Sequence, residues 1–363
     1  MIDTDRIWVH LDSLAKPRRS LGKLEELAER LARIQGTLTP VVRPRRLVLF
    51  AADHGVVARG VSAWPSDVTG LMVATMLAGS ASSSALAAAH GCSVRLVDVG
   101  MSSASPTAPP SLFRSARIAP GTRDLSAGPA MTLEQFEAAW QVGADEAEHA
   151  VGEGNRVLIA GEMGIGNTTS AACLTMLLAG ATADVATGRG AGADDATLEI
   201  KRAVVAGAVA RVSLSDVEGS YARSERTNAG VEASAHGSPA SETVRSAIAA
   251  LAGFEIVAMA GFFAEGARLG ATLLLDGYVA TAAALIAERL RPGTTNCLIA
   301  AHLSAEPGHA VALAKLGLEP LLNWSMRLGE GTGALVALPL LDSAAALLRD
   351  VASLADVGAA RED

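Results

Sequence analysis

Three glycine-rich stretches hold most of the side chains that could do chemistry in this chain. The first reads Gly161-Glu162-Met163-Gly164-Ile165-Gly166-Asn167-Thr168-Thr169. Its glycines admit a ligand close to the backbone, and the free N–H groups that open a helix attract an anion. With the hydroxyls of Thr168 and Thr169 it could cradle a phosphate; an ordinary tight β–α turn would use the same residues. The spacing is neither the dinucleotide GxGxxG nor a GK[ST] loop with its phosphate lysine.

The second stretch, Thr187-Gly188-Arg189-Gly190-Ala191-Gly192-Ala193-Asp194-Asp195, offers Arg189 to a phosphate, and Asp194 or Asp195 to cap the next helix. A flexible turn with a solvated arginine is the plainer alternative, and Lys201 by itself reads as surface charge. The third, Met326-Arg327-Leu328-Gly329-Glu330-Gly331-Thr332-Gly333-Ala334, sets Glu330 between glycines. There the carboxylate could project into a cleft, and burial that raised its pKa toward neutrality would suit it to general base work. Otherwise it is an exposed loop acid. His302 and His309 have no triad-like sequence context and are read as positioning a loop.

Such groups need a scaffold that brings them together. Short apolar runs at 47–52, 94–97, 156–160, 273–275 and 297–301 each end in a polar or glycine-containing turn. Continuous apolar runs of this length suit strands covered on both faces. Ala-rich helical stretches lie between them at 71–90, 132–152, 168–180, 195–213, 246–268 and 278–290, with a Thr132/Gln135 capping box. The alternation predicts an open α/β parallel sheet, whose ligands bind beyond the carboxyl ends of the strands. Leu21, Leu24, Leu27, Leu31 and Ile34 give an N-terminal amphipathic helix, and 341–358 a C-terminal one that could pack with it. Residues 102–130, with five prolines, and 213–241, rich in Ser, Glu and Gly, read as loops, the latter as a flexible insertion.

Composition narrows the classes. The chain has 363 residues, of which half are apolar, enough for a large core. Its formal charge is −8, without a basic block, and only 12 residues are aromatic, which argues against nucleic acid and against an anionic membrane surface. The longest nearly apolar stretch, 247–264, carries Glu255 in its middle and reads as a buried soluble helix. No signal peptide is visible. Three scattered cysteines and seven scattered histidines suggest neither zinc nor disulfides, and fit a reduced cytoplasm.

The glycine clusters, taken with Ala52-Asp53-His54-Gly55-Val56, Val97-Asp98-Val99-Gly100, Gly253-Phe254-Glu255-Ile256, Leu275-Asp276-Gly277 and Ser304-Ala305-Glu306-Pro307-Gly308-His309, resemble the nicotinate-nucleotide–dimethylbenzimidazole phosphoribosyltransferase family over nearly the whole chain. The resemblance implies transfer of phosphoribosyl from nicotinate mononucleotide to 5,6-dimethylbenzimidazole, without metal or cofactor, in the lower-ligand branch of cobalamin synthesis. It implies Glu330 as general base, with Glu162 in the same cleft. Gly164, Gly166, Asn167, Thr168, Thr169, Gly188, Arg189, Gly190 and Lys201 would then serve phosphate and ribose, and Ser80, Ser84, Met326 and Leu328 the aromatic base. It also implies a homodimer. Its fold would be a large doubly wound, Rossmann-like parallel-sheet domain at 41–334, with a small helical domain from 1–40 and about 335–363.

The chain departs from the family pattern at Arg19, Ala191 and Asn323, and in the serine-rich run Gly79-Ser80-Ala81-Ser82-Ser83-Ser84. Extra hydroxyls there bear on which base is accepted. The alternatives are transfer to adenine or another benzimidazole, and a non-catalytic nucleotide-binding homologue.

Overall fold

The computed structural model describes residues 2–212 and 239–358. Among them six strands form one parallel sheet: β1 (Arg45–Ala52), β2 (Ser93–Gly100), β3 (Phe113–Ser115), β4 (Val157–Met163), β5 (Thr272–Leu275) and β6 (Leu298–Ala300). Their order is β3-β2-β1-β4-β5-β6. The chain therefore starts in the middle, winds outward to one edge, then returns to wind toward the other.

The central strands are largely apolar on both faces because both faces are covered. Val48, Phe50 and Ala52 of β1 enter one core, while Leu47, Leu49 and Ala51 enter the other. The helices, in chain order, are α1 (Thr4–Ser13), α2 (Lys23–Gln35), α3 (Asp67–Leu77), α4 (Ser82–Ala89), α5 (Leu133–Gly152), α6 (Asn167–Ala179), α7 (Ala183–Ala186), α8 (Asp195–Ala210), α9 (Pro239–Ala249), α10 (Phe254–Arg268), α11 (Tyr278–Leu290), α12 (Gly308–Lys315) and α13 (Thr332–Asp350). α1–α4 and α13 cover the Leu47 face, and α5, α6 and α8–α12 the Val48 face. The two chain ends are also tied by backbone bonds from Ala15 N–H to Ala352 O and from Leu354 N–H to Ser13 O, both 2.8 Å.

The 132–152 helix and its Thr132/Gln135 capping box are as the sequence predicts. Several boundaries differ. The 71–90 stretch is two helices, α3 and α4, broken at Gly79, whose φ of +76° a helix cannot hold. The 246–268 stretch breaks before Gly253, so Glu255 lies in the first turn of α10 rather than within a continuous apolar span. α10 runs against α5 at backbone contact. A Cβ on Gly143 would stand 1.7 Å from Ala258 O, and one on Gly261 2.1 Å from Trp140 O. The C-terminal helix runs over Thr332–Asp350, not 341–358, and carries Pro339 within it. Leu21 lies outside α2 and is exposed. The proline-rich 102–130 segment contributes edge strand β3, anchored by buried Phe113. The loop expected at 213–241 falls outside the described residues up to 238.

Candidate active site

The sheet order reverses direction between β1 and β4, and the carboxyl ends of adjacent strands diverge there into a crevice. β1 runs out into Asp53-His54, β4 into Glu162 and the Gly164–Gly166 loop, β5 into Asp276, and β6 into His302, Ser304 and Glu306. The turns after β4, β5 and β6 border a cavity of about 400 Å³, whose lining also includes Val61, Val68, Met72, Ile165 and Leu328. The lining mixes polar, anion-friendly groups with apolar side chains, which suits a phosphorylated sugar beside an aromatic ring.

Glu330 sits on the cavity wall, 4 % exposed, at φ +58° between Gly329 at +86° and Gly331 at +75°. A left-handed non-glycine residue costs conformational energy, so surrounding contacts must hold it. They do. Asp276 Oδ2 accepts from Gly331 N–H at 3.1 Å and its Oδ1 from Ala334 N–H at 3.0 Å, fixing the start of α13 just beyond Glu330. Ser83 Oγ donates to Glu330 Oε2 at 2.9 Å. Burial pushes the Glu330 carboxyl above its ordinary value; the Ser83 bond pulls back, and the charge of Asp276 adds to the rise.

Glu162 lies directly beneath this loop. A Cβ on Gly329, at φ +86°, would stand 2.3 Å from its Oε1, so glycine suits both the backbone and the close approach of the two segments. Asn167 Nδ2 donates to Glu162 Oε2. Burial, then the carboxylates of Glu255, Asp276 and Glu330, drives the Glu162 carboxyl well above the usual range. Behind the Gly164–Gly166 loop, His54 Nε2 meets Glu255 Oε1 at 2.7 Å with both side chains fully buried, and its Nδ1 lies 3.3 Å from Ser170 Oγ. Burial opposes charge on His54, but Glu255 outweighs it and raises the imidazole above its ordinary value.

On the polar side, Lys201 reaches in from α8. Its Nζ donates to Thr168 Oγ1 at 2.7 Å and to Gly188 O at 3.0 Å. Burial lowers it to about 8, with Glu306 opposing the fall. It is thus a buried cation at the first turn of α6, not surface charge. Arg189 also lines the cavity, with its guanidinium on Ala193 O and Asp195. Asp194, as expected, caps α8 through Thr197 N–H at 2.8 Å.

The cavity therefore gathers Glu330, Glu162, Gly164, Gly166, Asn167, Thr168, Arg189, Gly190, Lys201 and Leu328. Gly188 stands just behind, lending its carbonyl to Lys201. Thr169 does not face the cavity: it is fully buried. Ser80 is exposed and off the cavity, and Ser84 turns back to Met76 O at 2.9 Å, because the break at Gly79 rotates α4 so that Ser83 alone of this run reaches the acid. Met326 also lies outside, its carbonyl taken by Ala305 N–H at 2.9 Å. His309 does position a loop, accepting from Ser304 N–H at 2.8 Å. Site roles for Ser83, His54, Asp276 and Glu306 carry no short-range signal; the last three follow strand ends, while Ser83 lies in the first turn of α4. Among the described residues no group of three or more His, Cys, Asp or Glu is arranged to hold a metal.

A family model described as a phosphoribosyltransferase matches residues 4–359. The chain is 43 % identical over 353 residues to a nicotinate-nucleotide–dimethylbenzimidazole phosphoribosyltransferase of Thermus thermophilus, covering 97 % of each chain. It is 43 % identical over 358 residues to one of Variovorax paradoxus, covering 99 % of this chain and 94 % of that one. The crystal structure of CobT from Thermus thermophilus superposes with a TM-score of 0.88 at 41 % identity, covering 99 % of both chains. By the family model over nearly its whole length and by relatives above 40 % identity, the chain belongs to the nicotinate-nucleotide–dimethylbenzimidazole phosphoribosyltransferase family.

Proposed function

We propose that the protein transfers the 5-phosphoribosyl group of nicotinate mononucleotide to 5,6-dimethylbenzimidazole, giving α-ribazole 5′-phosphate and nicotinate in cobalamin biosynthesis, with Glu330 as general base. One observation carries the assignment of the base: a buried, basicity-raised carboxylate is held in a strained backbone position on the wall of a cavity whose far side carries Lys201, Thr168 and a helix N-terminus.

The chemistry asks little more. An azole ring nitrogen attacks the anomeric carbon as the bond from that carbon to the pyridinium nitrogen breaks. The bonding pair returns to the nicotinate ring, which leaves without needing a proton. The attacking azole becomes cationic and must lose its N–H proton, which passes to Glu330. Holding both reactants in line supplies much of the remaining acceleration. Lys201, Thr168, Gly164, Gly166, Gly190 and Arg189 face the 5′-phosphate, while Val61, Val68, Met72 and Leu328 border the benzimidazole. Burial and the surrounding carboxylates raise the Glu162 carboxyl well above the usual range, so it holds a proton more readily than an ordinary carboxyl and is suited to donate into the cavity.

Three free cysteines suit a reducing compartment, and we place the reaction in the cytoplasm. We also propose a homodimer, checked by sedimentation. The function is tested by incubating the protein with nicotinate mononucleotide and an equimolar mixture of 5,6-dimethylbenzimidazole, benzimidazole and adenine, and weighing the products. Dimethylbenzimidazole ribotide is expected to dominate. Preference for adenine would overturn the acceptor, and no ribotide at all would overturn the reaction.

A further inference from the structure

The turn between β6 and α12 is braced on three sides. Ser304 N–H bonds His309 Nδ1, His309 Nε2 meets Thr281 Oγ1 at 2.8 Å, and Ala305 N–H bonds Met326 O in the segment that leads to Glu330. From this turn Glu306, 6 % exposed, reaches across to the second glycine loop. Its Oε1 accepts from Gly190 N–H at 2.9 Å. Its Oε2 has no hydrogen-bond partner and packs so closely on Gly188 that a Cβ there would stand 2.1 Å away. Gly188 is the residue whose carbonyl holds Lys201 Nζ. A carboxylate buried with one oxygen unpaired is costly unless its charge is used.

We propose that Glu306 is a positioning residue for the nucleotide phosphate: it clamps the Gly188–Gly190 loop and, through that loop and its own charge, keeps Lys201 in place and protonated. This rests on the reading that the 5′-phosphate of nicotinate mononucleotide is held at Lys201. The clamp is geometric, since one carboxylate oxygen takes the loop's N–H while the other wedges against the only residue type that leaves room for it. The support is electrostatic as well. Glu306 opposes the burial that lowers Lys201. The other titratable groups packed nearby do not replace it. Cys173 of α6 is pushed up to about 12 by burial and stays a neutral thiol, and burial likewise raises Tyr278 of α11. Arg189, on the same loop, turns its guanidinium to Ala193 O and Asp195.

The sign follows directly. Lys201 offers its charge to a phosphate below about pH 8 and loses it above. Without the Glu306 carboxylate that loss moves to lower pH. Steady-state kcat and KM for nicotinate mononucleotide should be measured from pH 6 to 9 for the parent, Glu306→Gln, Glu306→Ala and Lys201→Met, with thermal melting as a fold check. Glu306→Gln keeps an acceptor for Gly190 N–H and removes only charge. Its KM is expected to stay within about threefold of the parent at pH 6.5 but to rise about fivefold more steeply by pH 8.5. Glu306→Ala is expected to raise KM about tenfold or more at every pH, with kcat within about threefold. If Lys201→Met raises KM while both Glu306 variants match the parent in KM and pH profile, the clamp is wrong and the phosphate site stands. If Lys201→Met leaves KM unmoved, the reading of the phosphate site has failed first. Glu306→Gln with kcat and KM impaired equally at all pH values, and with a lowered melting temperature, would mark a merely structural acid and overturn the proposal.

Discussion

Buried carboxylates at the same end of one sheet are treated in opposite ways. Asp98, beyond the middle of β2, is fully buried and saturated: Oδ1 accepts from Gly100 and Met101 N–H at 3.0 and 2.8 Å, and Oδ2 from Ser105 Oγ at 2.7 Å and Arg117 Nη2 at 2.9 Å. Glu330 and Glu162, beside β4, have one side-chain donor each and face further carboxylates. A carboxylate whose lone pairs are all taken holds a loop together and has nothing left for a substrate proton. One that is buried, under-bonded and crowded by like charge gains basicity. Asp98 and Glu162 look alike in sequence, each closing an apolar run. Donors, not burial, separate scaffold from chemistry.

That contrast can be broken in several places. Glu330→Gln keeps shape but cannot take a proton, so turnover should fall about a thousandfold while nicotinate mononucleotide still protects the protein against thermal melting. Turnover within tenfold of the parent would remove Glu330 from the chemistry. Asp98→Asn should do the reverse. Denaturant unfolding should show a loss of about 3 kcal/mol from the broken pair with Arg117, with kcat per folded molecule within about twofold.

Smaller effects sharpen the same comparison through pH. Activity needs Glu330 ionised, so kcat falls as pH drops through its raised pKa. Ser83→Ala removes the bond that lowers it, and the acid limb should move to higher pH, costing about threefold in rate at pH 6. The contribution of Glu162 to stability has a definite sign. Its folded-state pKa is raised, so its favourable contribution is full below the unfolded value of 4.5 and is lost as pH rises through the folded value. Glu162→Gln removes that loss and should stabilise the fold at pH 8 by about 1 kcal/mol, at a cost in activity. An unchanged or lower unfolding midpoint at pH 8 would contradict the electrostatic picture of the site.

Much of this was legible in sequence because it is local. Five of the six strands announce themselves as apolar runs closed by polar turns, and the glycine loops mark where backbone must approach a ligand. Glu330 stands out because glycine flanks it on both sides. What sequence left unread depends on packing between distant segments. β3 is three residues long and held by β2, with no pattern of its own. The helix breaks at Gly79 and Gly253 lie inside Ala-rich stretches whose periodicity runs on regardless. Ser83 rather than Ser80 or Ser84 meets Glu330 because of how α4 is turned after its break, which no spacing rule supplies. Lys201 reads as surface charge until Thr168 and Gly188 are placed around it, and the contact of Glu306 with the glycine loop joins segments more than a hundred residues apart.

The central claim is that Glu330 takes the azole proton opposite an anchored ribose 5′-phosphate. A crystal structure with 5,6-dimethylbenzimidazole and nicotinate mononucleotide both bound, trapped in the Glu330→Gln variant, tests it most directly. The account predicts the substituted side-chain amide at position 330 within hydrogen-bond distance of one benzimidazole nitrogen, the other nitrogen facing the anomeric carbon, and the phosphate on Lys201 and Thr168. A benzimidazole bound away from position 330, or a phosphate seated elsewhere in the cavity, would contradict it.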